Sequence, residues 1–372
     1  MDARSVMTES ILSIRLARGP LLALAMANLV AGVWGGLARL HWSPVPLTTW
    51  NVNWVSFHGP LMVCGFLGTV ITLERASAVG RWWAYSGPVL TGAGGLWMAS
   101  GRLGSTPLLL FVFGSALVSA TTASYAWRHR SFDLGVMTSG AAAWFVGNVE
   151  LYFRRPVPHV VVWWIAFLML TVVAERLELS RFLRPTRRQW RMMVAAIGTF
   201  VVGVIARETA PAWGDRVAGA GMIAVAAWLI RYDMARRAIA KPGLPRFMAI
   251  CLIAGYGWLG IAGGALAFHA PLPDYGGPYD AALHAFFLGF VVSMIFGHAM
   301  IILPAVMRID VPFRRAFYGH LILLHLSVAA RIAGDLLLWP RWNGMGGLGA
   351  SVALALFVLA TGGSVVFSFR RT

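Results

Sequence analysis

Apolar residues occur along this chain in runs of about 20 residues, separated by short polar connections. A helix of that length crosses the hydrocarbon core of a bilayer, so each run predicts a transmembrane helix. The pattern predicts an all-α, polytopic membrane bundle of twelve helices that forms a single integral membrane domain over residues 1–372. The predicted spans are 20–39, 53–74, 82–100, 107–127, 133–153, 158–177, 190–207, 214–231, 246–268, 281–306, 316–339 and 346–368.

The composition supports this interpretation, because 58% of the residues are hydrophobic and only 12% are charged. A soluble domain has about a quarter of its residues charged. The net charge of +17 could indicate nucleic-acid binding, but its distribution does not. Of the 31 Lys and Arg residues, 23 lie at the chain ends and in alternate connections, and 7 lie on the opposite side. This asymmetry predicts cytoplasmic termini in a bacterial inner membrane, with lipid and not nucleic acid as the partner.

Two histidines are predicted to lie at the same depth in the bundle. His58 stands near the start of the second span and His284 near the start of the tenth, and both of these spans enter from the outer face. Two imidazoles at one level can supply both axial ligands of a haem iron. Gly59, Gly65 and Gly68 are expected to leave room for the flat cofactor. A hydrogen-bonding role between helices is the alternative for both histidines.

A second site is predicted deeper in the bundle, around His298. This residue follows His284 by fourteen positions, nearly four helical turns, so it is expected on a similar face. Span eleven offers His325, which matches His298 in depth, and His320, which shares a helical face with Arg331. The site could hold a second haem or a copper ion, and a structural hydrogen-bonding role is the alternative.

Arg331 is the one basic residue well inside a predicted span. Asp335 follows it by four residues, so an ion pair within the helix is one interpretation. The other is that Arg331 and Arg341 bind haem propionates, because a guanidinium group binds a carboxylate through two hydrogen bonds.

The stretch "HGPLM" that opens span two resembles subunit I of the haem-copper oxidases and nitric oxide reductases. In that superfamily, histidines of spans two and ten bind a low-spin haem, and His58 and His284 match these positions. The stretch "ALHAFFLGFVVSMIFGHAMIILPAVMR" is similar to the corresponding helix of NnrS proteins, which are haem- and copper-containing membrane proteins of nitric oxide metabolism. The resemblance implies haem b as the cofactor.

The sequence departs from the oxidase pattern at the copper site. That pattern needs one histidine on span six and an adjacent pair on span seven. Here span six has only His159 at its edge, span seven has none, and residue 286 is Phe where a second haem ligand would stand. The resemblance therefore points to a relative without the haem–copper centre, closer to NnrS.

These observations predict a haem-binding membrane protein of nitric oxide or respiratory metabolism. It would transfer electrons or bind nitric oxide, with a quinone or a protein as electron donor, and a haem-dependent oxidoreductase is one form of this function. A twelve-span secondary transporter without haem is the alternative. A third class is a protein that binds haem for assembly or sensing without catalysis.

Overall fold

The structure is a computed structural model that describes residues 3–42, 51–102 and 104–369 of the chain, with side chains described from residue 18 to residue 365. Within these ranges the regular structure is helical, and no strand occurs. The all-α prediction is therefore confirmed for the described residues.

The first half of the chain contains seven α-helices, one π-helical segment and one 3₁₀ turn. A short helix pair, α2 and α3, precedes the π-helical segment, which runs directly into α4. The bounds are α1 Ala3–Arg39, α2 Val52–Ser56, α3 His58–Pro60, the first π segment Leu61–Leu67, α4 Gly68–Val79, the 3₁₀ turn Trp82–Tyr85, α5 Ser86–Ala99, α6 Thr106–His129 and α7 Phe132–Tyr152.

The second half begins with a long helix and contains a second π-helical segment. The bounds are α8 Val157–Ser180, the 3₁₀ turn Arg181–Leu183, α9 Arg187–Ala206, α10 Pro211–Tyr232, α11 Ala235–Ala238, α12 Leu244–Phe268, α13 Gly277–His284, the second π segment Ala285–Val291, α14 Val292–Met307, α15 Phe317–Leu336 and α16 Pro340–Phe369. Each of the twelve predicted spans thus coincides with helical structure.

Within the described residues, nine helical stretches are both long enough and apolar enough to cross a membrane. They are Arg18–Arg39, His58–Val79, Thr106–His129, Val157–Leu183, Arg187–Ala206, Leu244–Phe268, Gly277–Met307, Phe317–Leu336 and Pro340–Val365. The remaining three predicted spans fall short. Helix α5 has 14 residues, about 21 Å of length against a hydrocarbon core of about 30 Å. Helices α7 and α10 are long enough, but their polar residues interrupt the apolar run.

The chain divides into two compact units. The first unit is Met1–Phe167 with Ile302–Ile309, and the second unit is Leu168–Ile301 with Asp310–Thr372. His58 belongs to the first unit, whereas His284, His298 and His325 belong to the second.

Each π segment begins shortly after a predicted haem ligand. The first begins three residues after His58, and the second begins at the residue after His284. Each has seven residues. In a π-helix the i→i+5 hydrogen bonds place an extra residue in each turn. Such segments are rare and are frequently found at functional sites. Pro60 lies in the first turn of its helix, where proline is tolerated, so it opens this helix and does not kink it.

Candidate functional site

The imidazole of His58 lies against helix α1. Its Nδ1 is 2.6 Å from the carbonyl oxygen of Gly32. A Cβ atom on Gly36, one turn further along α1, would lie 2.8 Å from Cε1 of the ring. Real Cβ atoms do not approach so closely, so glycine is required at position 36 for the ring to occupy this place. The orientation of His58 thus depends on a helix that is distant in sequence.

The imidazole of His284 is held by its own helix. Its Nδ1 is 2.7 Å from the carbonyl oxygen of Asp280, four residues earlier. Asp280 looks like an N-cap in the sequence, but the helix begins at Gly277 and the N-cap position is Gly276, so Asp280 lies in the first turn. Its backbone carbonyl thereby becomes available to orient the histidine.

These two hydrogen bonds determine where the imidazole protons lie. A carbonyl oxygen can only accept, so Nδ1 carries a proton in both rings, and in the neutral imidazole the lone pair is then on Nε2. Metal-binding histidines use this arrangement, in which a backbone carbonyl fixes the tautomer and raises the basicity of the other nitrogen. His58 and His284 therefore fit the role of haem ligands, each within its own unit.

Gly65 and Gly68 do not leave an open slot, in contrast to the expectation from the sequence. The face of Gly65 is covered by Asn28 of α1, whose Oδ1 would lie 2.7 Å from a Cβ at that position. The indole of Trp144 covers Gly68 at 2.5 Å in the same way. A Cβ at Gly59 would make only ordinary contacts, at 3.8 Å or more. His58 and Gly65 both face α1, so Gly65 allows this helix to approach.

His298 resembles the first two histidines in its hydrogen bonding. Its Nδ1 is 2.8 Å from the carbonyl oxygen of Met294, four residues earlier, so its lone pair also lies on Nε2. That nitrogen is buried and has no hydrogen-bond partner among the described residues. The second π segment separates His298 from His284. This segment does not have the 3.6 residues per turn of an α-helix, on which the prediction of a shared face was based.

His325 differs, because its Nδ1 accepts a hydrogen bond. The indole Nε1–H of Trp258 donates to this atom over 2.9 Å, and the two rings lie nearly parallel at an angle of 12°. The proton of the neutral ring is then on Nε2, which is buried without a partner in the described part of the chain. The geometry opposes metal binding by Nε2 of His325 and does not support its pairing with His298.

His320 is surrounded by aromatic rings. The centroid of its imidazole lies 4.7 Å from that of Phe296 and 5.4 Å from those of Phe317 and Phe357. The side chain is buried. These edge-to-face contacts are typical of core packing, and they give the ring no polar neighbour of the kind that His298 has.

Arg331 belongs to a polar group between α15 and α16. Its guanidinium Nη1 donates to Oδ1 of Asn343 over 3.4 Å, and the side-chain amide of Asn343 donates to Asp335. Asn343 thus connects the two residues for which a direct ion pair was one interpretation. Arg341 is exposed. Whether Arg331 and Arg341 also bind propionates stays a prediction.

The other histidines that the structure describes have the environment that the sequence suggests. His41, His129, His159 and His269 are exposed at helix ends or in connections. Cys64 and Cys251 are both buried with free thiols. In the described residues no group of three or more His, Cys, Asp and Glu side chains is arranged to hold a metal ion.

The sequence did not point to a buried charged group in the second unit. Nε of Arg176 lies 3.7 Å from Oδ2 of Asp233, and the two side chains are 5% and 1% exposed. Tyr256, which is fully buried, interacts with both of them. No pattern in the sequence connects these residues, because they lie on separate helices or just beyond one.

Comparison with known proteins gives one match, to a protein family. No curated protein matches the chain, and no solved structure matches it. A family model described as "Domain of unknown function (DUF8744)" matches residues 18–366, which includes all the candidate residues above. The chain therefore belongs to the DUF8744 family.

Proposed function

We propose that this chain is an integral membrane haem protein in which His58 and His284 are the two axial ligands of one haem b iron. The observation that carries the proposal is the shared state of the two imidazoles. Each has its Nδ1–H bonded to a backbone carbonyl, and a π segment begins within three residues after each. The matched depth of the two residues in the sequence supports their pairing.

The protein's contribution would be to present two oriented lone pairs. The carbonyl of Gly32 holds the ring of His58, and the carbonyl of Asp280 holds that of His284. Neither ring needs to change its tautomer to bind a metal. Arg331 and Arg341 are the proposed partners of the propionates, because a guanidinium group matches a carboxylate in geometry and charge.

Haem held in this way would supply one-electron redox chemistry. Because both imidazoles would be needed to hold the iron, electron transfer is the function that this site favours. The electron donor would be a quinone or a protein. Binding of nitric oxide, which the resemblance to NnrS proteins suggests, would require one imidazole to leave. We do not include a second haem or copper ion held by His298 and His325, because the Nδ1 lone pair of His325 is used by Trp258.

A secondary transporter without haem is the second candidate. The observation that favours it is the division of the chain into two compact units, since transporters are often built from two related halves. In that case the hydrogen bond of His58 would only connect two helices, and that of His284 would only connect two turns of one helix.

The visible spectrum of the purified protein from haem-replete cells tests the proposal. Low-spin iron with two imidazoles gives a sharp α band on reduction and changes little when carbon monoxide is added. A colourless protein would contradict the proposal and favour the transporter. A large carbon monoxide shift in the reduced protein would show that one of the axial positions is open.

We further propose that the basic connections around residues 185 and 240 face the cytoplasm of a bacterial inner membrane. The test uses Pro185→Cys and Ala240→Cys in intact cells, where the native Cys64 and Cys251 are buried. An impermeant thiol reagent should not label either variant. It should label Asp274→Cys, an exposed position in a connection predicted to lie outside. Labelling at 185 or 240 without disruption of the cells would overturn the orientation.

A further inference from the structure

Four side chains of the second unit form what we call the buried polar cluster: Arg176, Asp233, Tyr256 and His298. Arg176 lies near the end of α8, Asp233 directly follows α10, and the other two belong to α12 and α14. The side chains of Arg176 and Asp233 are 5% and 1% exposed, and Tyr256 is 0% exposed. The cluster is outside the proposed haem ligands, and the haem proposal makes no use of it.

The members of the cluster interact with one another, but they do not satisfy one another's hydrogen-bonding groups. Arg176 and Asp233 are 3.7 Å apart, longer than a hydrogen bond of normal length. The hydroxyl of Tyr256 interacts with both charges but makes no hydrogen bond of normal geometry. The charges of Glu175, Arg176 and Asp233 all act on His298.

Helices α12 and α14, which carry Tyr256 and His298, pack closely against each other. A Cβ atom on Gly255 would lie 3.2 Å from Cβ of Ser293, and one on Gly297 would lie 3.2 Å from Cβ of Cys251. The two helices therefore approach closely at both glycines. Tyr256 follows Gly255 in the chain, and His298 follows Gly297.

Each member contributes one buried polar atom that has no hydrogen-bond partner in the described part of the chain. These atoms are Nε of Arg176, Oδ2 of Asp233, the hydroxyl oxygen of Tyr256 and Nε2 of His298. A buried polar group without a hydrogen-bond partner destabilises the fold, so four such groups would together be a large penalty. Two neighbouring atoms of the cluster do have partners: Oδ1 of Asp233 accepts from the backbone N–H of Ala235 over 2.7 Å, and Nδ1 of His298 donates to the carbonyl of Met294 over 2.8 Å.

We propose that the buried polar cluster encloses ordered water. The arginine Nε–H and the tyrosine O–H can donate to a water molecule, while the carboxylate oxygen and the imidazole Nε2 can accept from it. Water accepts two hydrogen bonds and donates two, so the four atoms match its capacity, and two to four polar partners are what a buried water needs. The guanidinium group makes a metal cation an unfavourable occupant.

The chemistry of the four side chains favours water as the molecule that lies between them. Apolar surroundings exclude water, but here each of the four side chains contributes a donor or an acceptor. A contact between polar atoms longer than about 3.5 Å, such as that between Arg176 and Asp233, is also where a bridging water is found. Water held between a tyrosine, an aspartate and a histidine provides the kind of connection that carries protons inside membrane proteins.

Radiolytic labelling in oxygen-18 water, read by mass spectrometry, tests the proposal on the unmodified protein. Hydroxyl radicals formed from bound water label the side chains next to it. Tyr256 and Phe200 are both 0% exposed, so they form a matched pair. We expect Tyr256 to be labelled several-fold faster than Phe200. Equal, slow labelling of the two rings would overturn the proposal.

A pair of variants locates the water. His298→Phe removes one acceptor and adds an apolar ring, so labelling of Tyr256 should fall. His320→Phe is the same replacement at a buried histidine among phenylalanine rings, and it should leave the labelling of Tyr256 unchanged. An equal effect of both variants would contradict the assignment. The experiment needs no haem, so its outcome is independent of the haem proposal, and the comparison of Tyr256 with Phe200 stands even where a variant does not fold.

Discussion

His58 and His284 make the same kind of hydrogen bond, but the carbonyl group that accepts it lies in a different place in each case. Both imidazoles donate a hydrogen bond from Nδ1–H to a backbone carbonyl, and both precede a π segment of seven residues. For His284 the carbonyl lies four positions earlier in the same helix. For His58 it lies 26 positions earlier, on α1. One histidine is therefore oriented by local structure and the other by helix packing, so the two should respond differently to changes elsewhere in the chain.

Two buried polar groups, one in each unit, differ in how fully their atoms are paired. In the first unit, both polar atoms of the Asn148 side chain have partners. Its Oδ1 accepts from the thiol of Cys64 over 3.1 Å and from the indole of Trp164 over 3.2 Å, and its amide donates to a carbonyl of α6. In the second unit, the buried polar cluster has four atoms without a hydrogen-bond partner among the residues that the structure describes. The first arrangement connects helices, whereas the second has capacity left for a ligand.

The largest effect is expected for Arg176→Ala. This change leaves the carboxylate of Asp233 buried without its counter-charge, which costs about 3–5 kcal/mol of folding stability. Thermal unfolding in detergent measures the loss. Arg191→Ala, at an exposed position on α9, is the matched control and should change stability by no more than about 0.5 kcal/mol. Similar stability of the two variants would show that the charges in the second unit are hydrated from outside.

A smaller effect is expected for Gly36→Ala, which tests the difference in how the two histidines are held. The added methyl group would lie 2.8 Å from Cε1 of His58, so the ring must move or the helices must separate. Such overpacking costs about 1–3 kcal/mol. The spectrum should change as His58 is displaced, while the hydrogen bond of His284 is unaffected.

Gly135→Ala provides the control for this replacement. Position 135 is exposed on α7, and nothing lies within 4 Å of an added Cβ. Alanine in a helix is favoured over glycine by about 0.5–1 kcal/mol, so this variant should be as stable as the parent or slightly more so. An unchanged spectrum in Gly36→Ala would mean that α1 does not fix the position of His58.

The smallest effect is expected for Trp258→Phe. The replacement removes the indole donor that occupies Nδ1 of His325 and keeps an aromatic ring in place. Loss of one neutral hydrogen bond costs about 0.5–1.5 kcal/mol. If His325 is a packing residue, the haem content and spectrum of this variant equal those of the parent. An added metal centre in the variant would show that His325 binds metal once its lone pair is released.

The sequence predicts the helices well, because apolar runs of membrane length leave few alternatives. It predicts the candidate ligands less fully. The matched positions of His58 and His284 can be counted along the chain, but the carbonyl of Gly32 becomes a partner only when α1 packs against α3. The role of Gly65 illustrates the same limit, because spacing gives its face and not the helix that covers it. The partners of Arg176 and His298 come from several helices, so no local pattern could reveal them.

Electron paramagnetic resonance of the oxidised protein tests the central claim most directly, because it reports the axial ligands of the iron. The account predicts a low-spin signal typical of two imidazoles in the parent. It also predicts a high-spin signal or loss of haem in both His58→Ala and His284→Ala, since one remaining imidazole leaves the iron five-coordinate or unbound. His159→Ala, at an exposed histidine, should retain the signal of the parent. A double variant of His58 and His284 that keeps the haem content and low-spin signal of the parent would contradict the account.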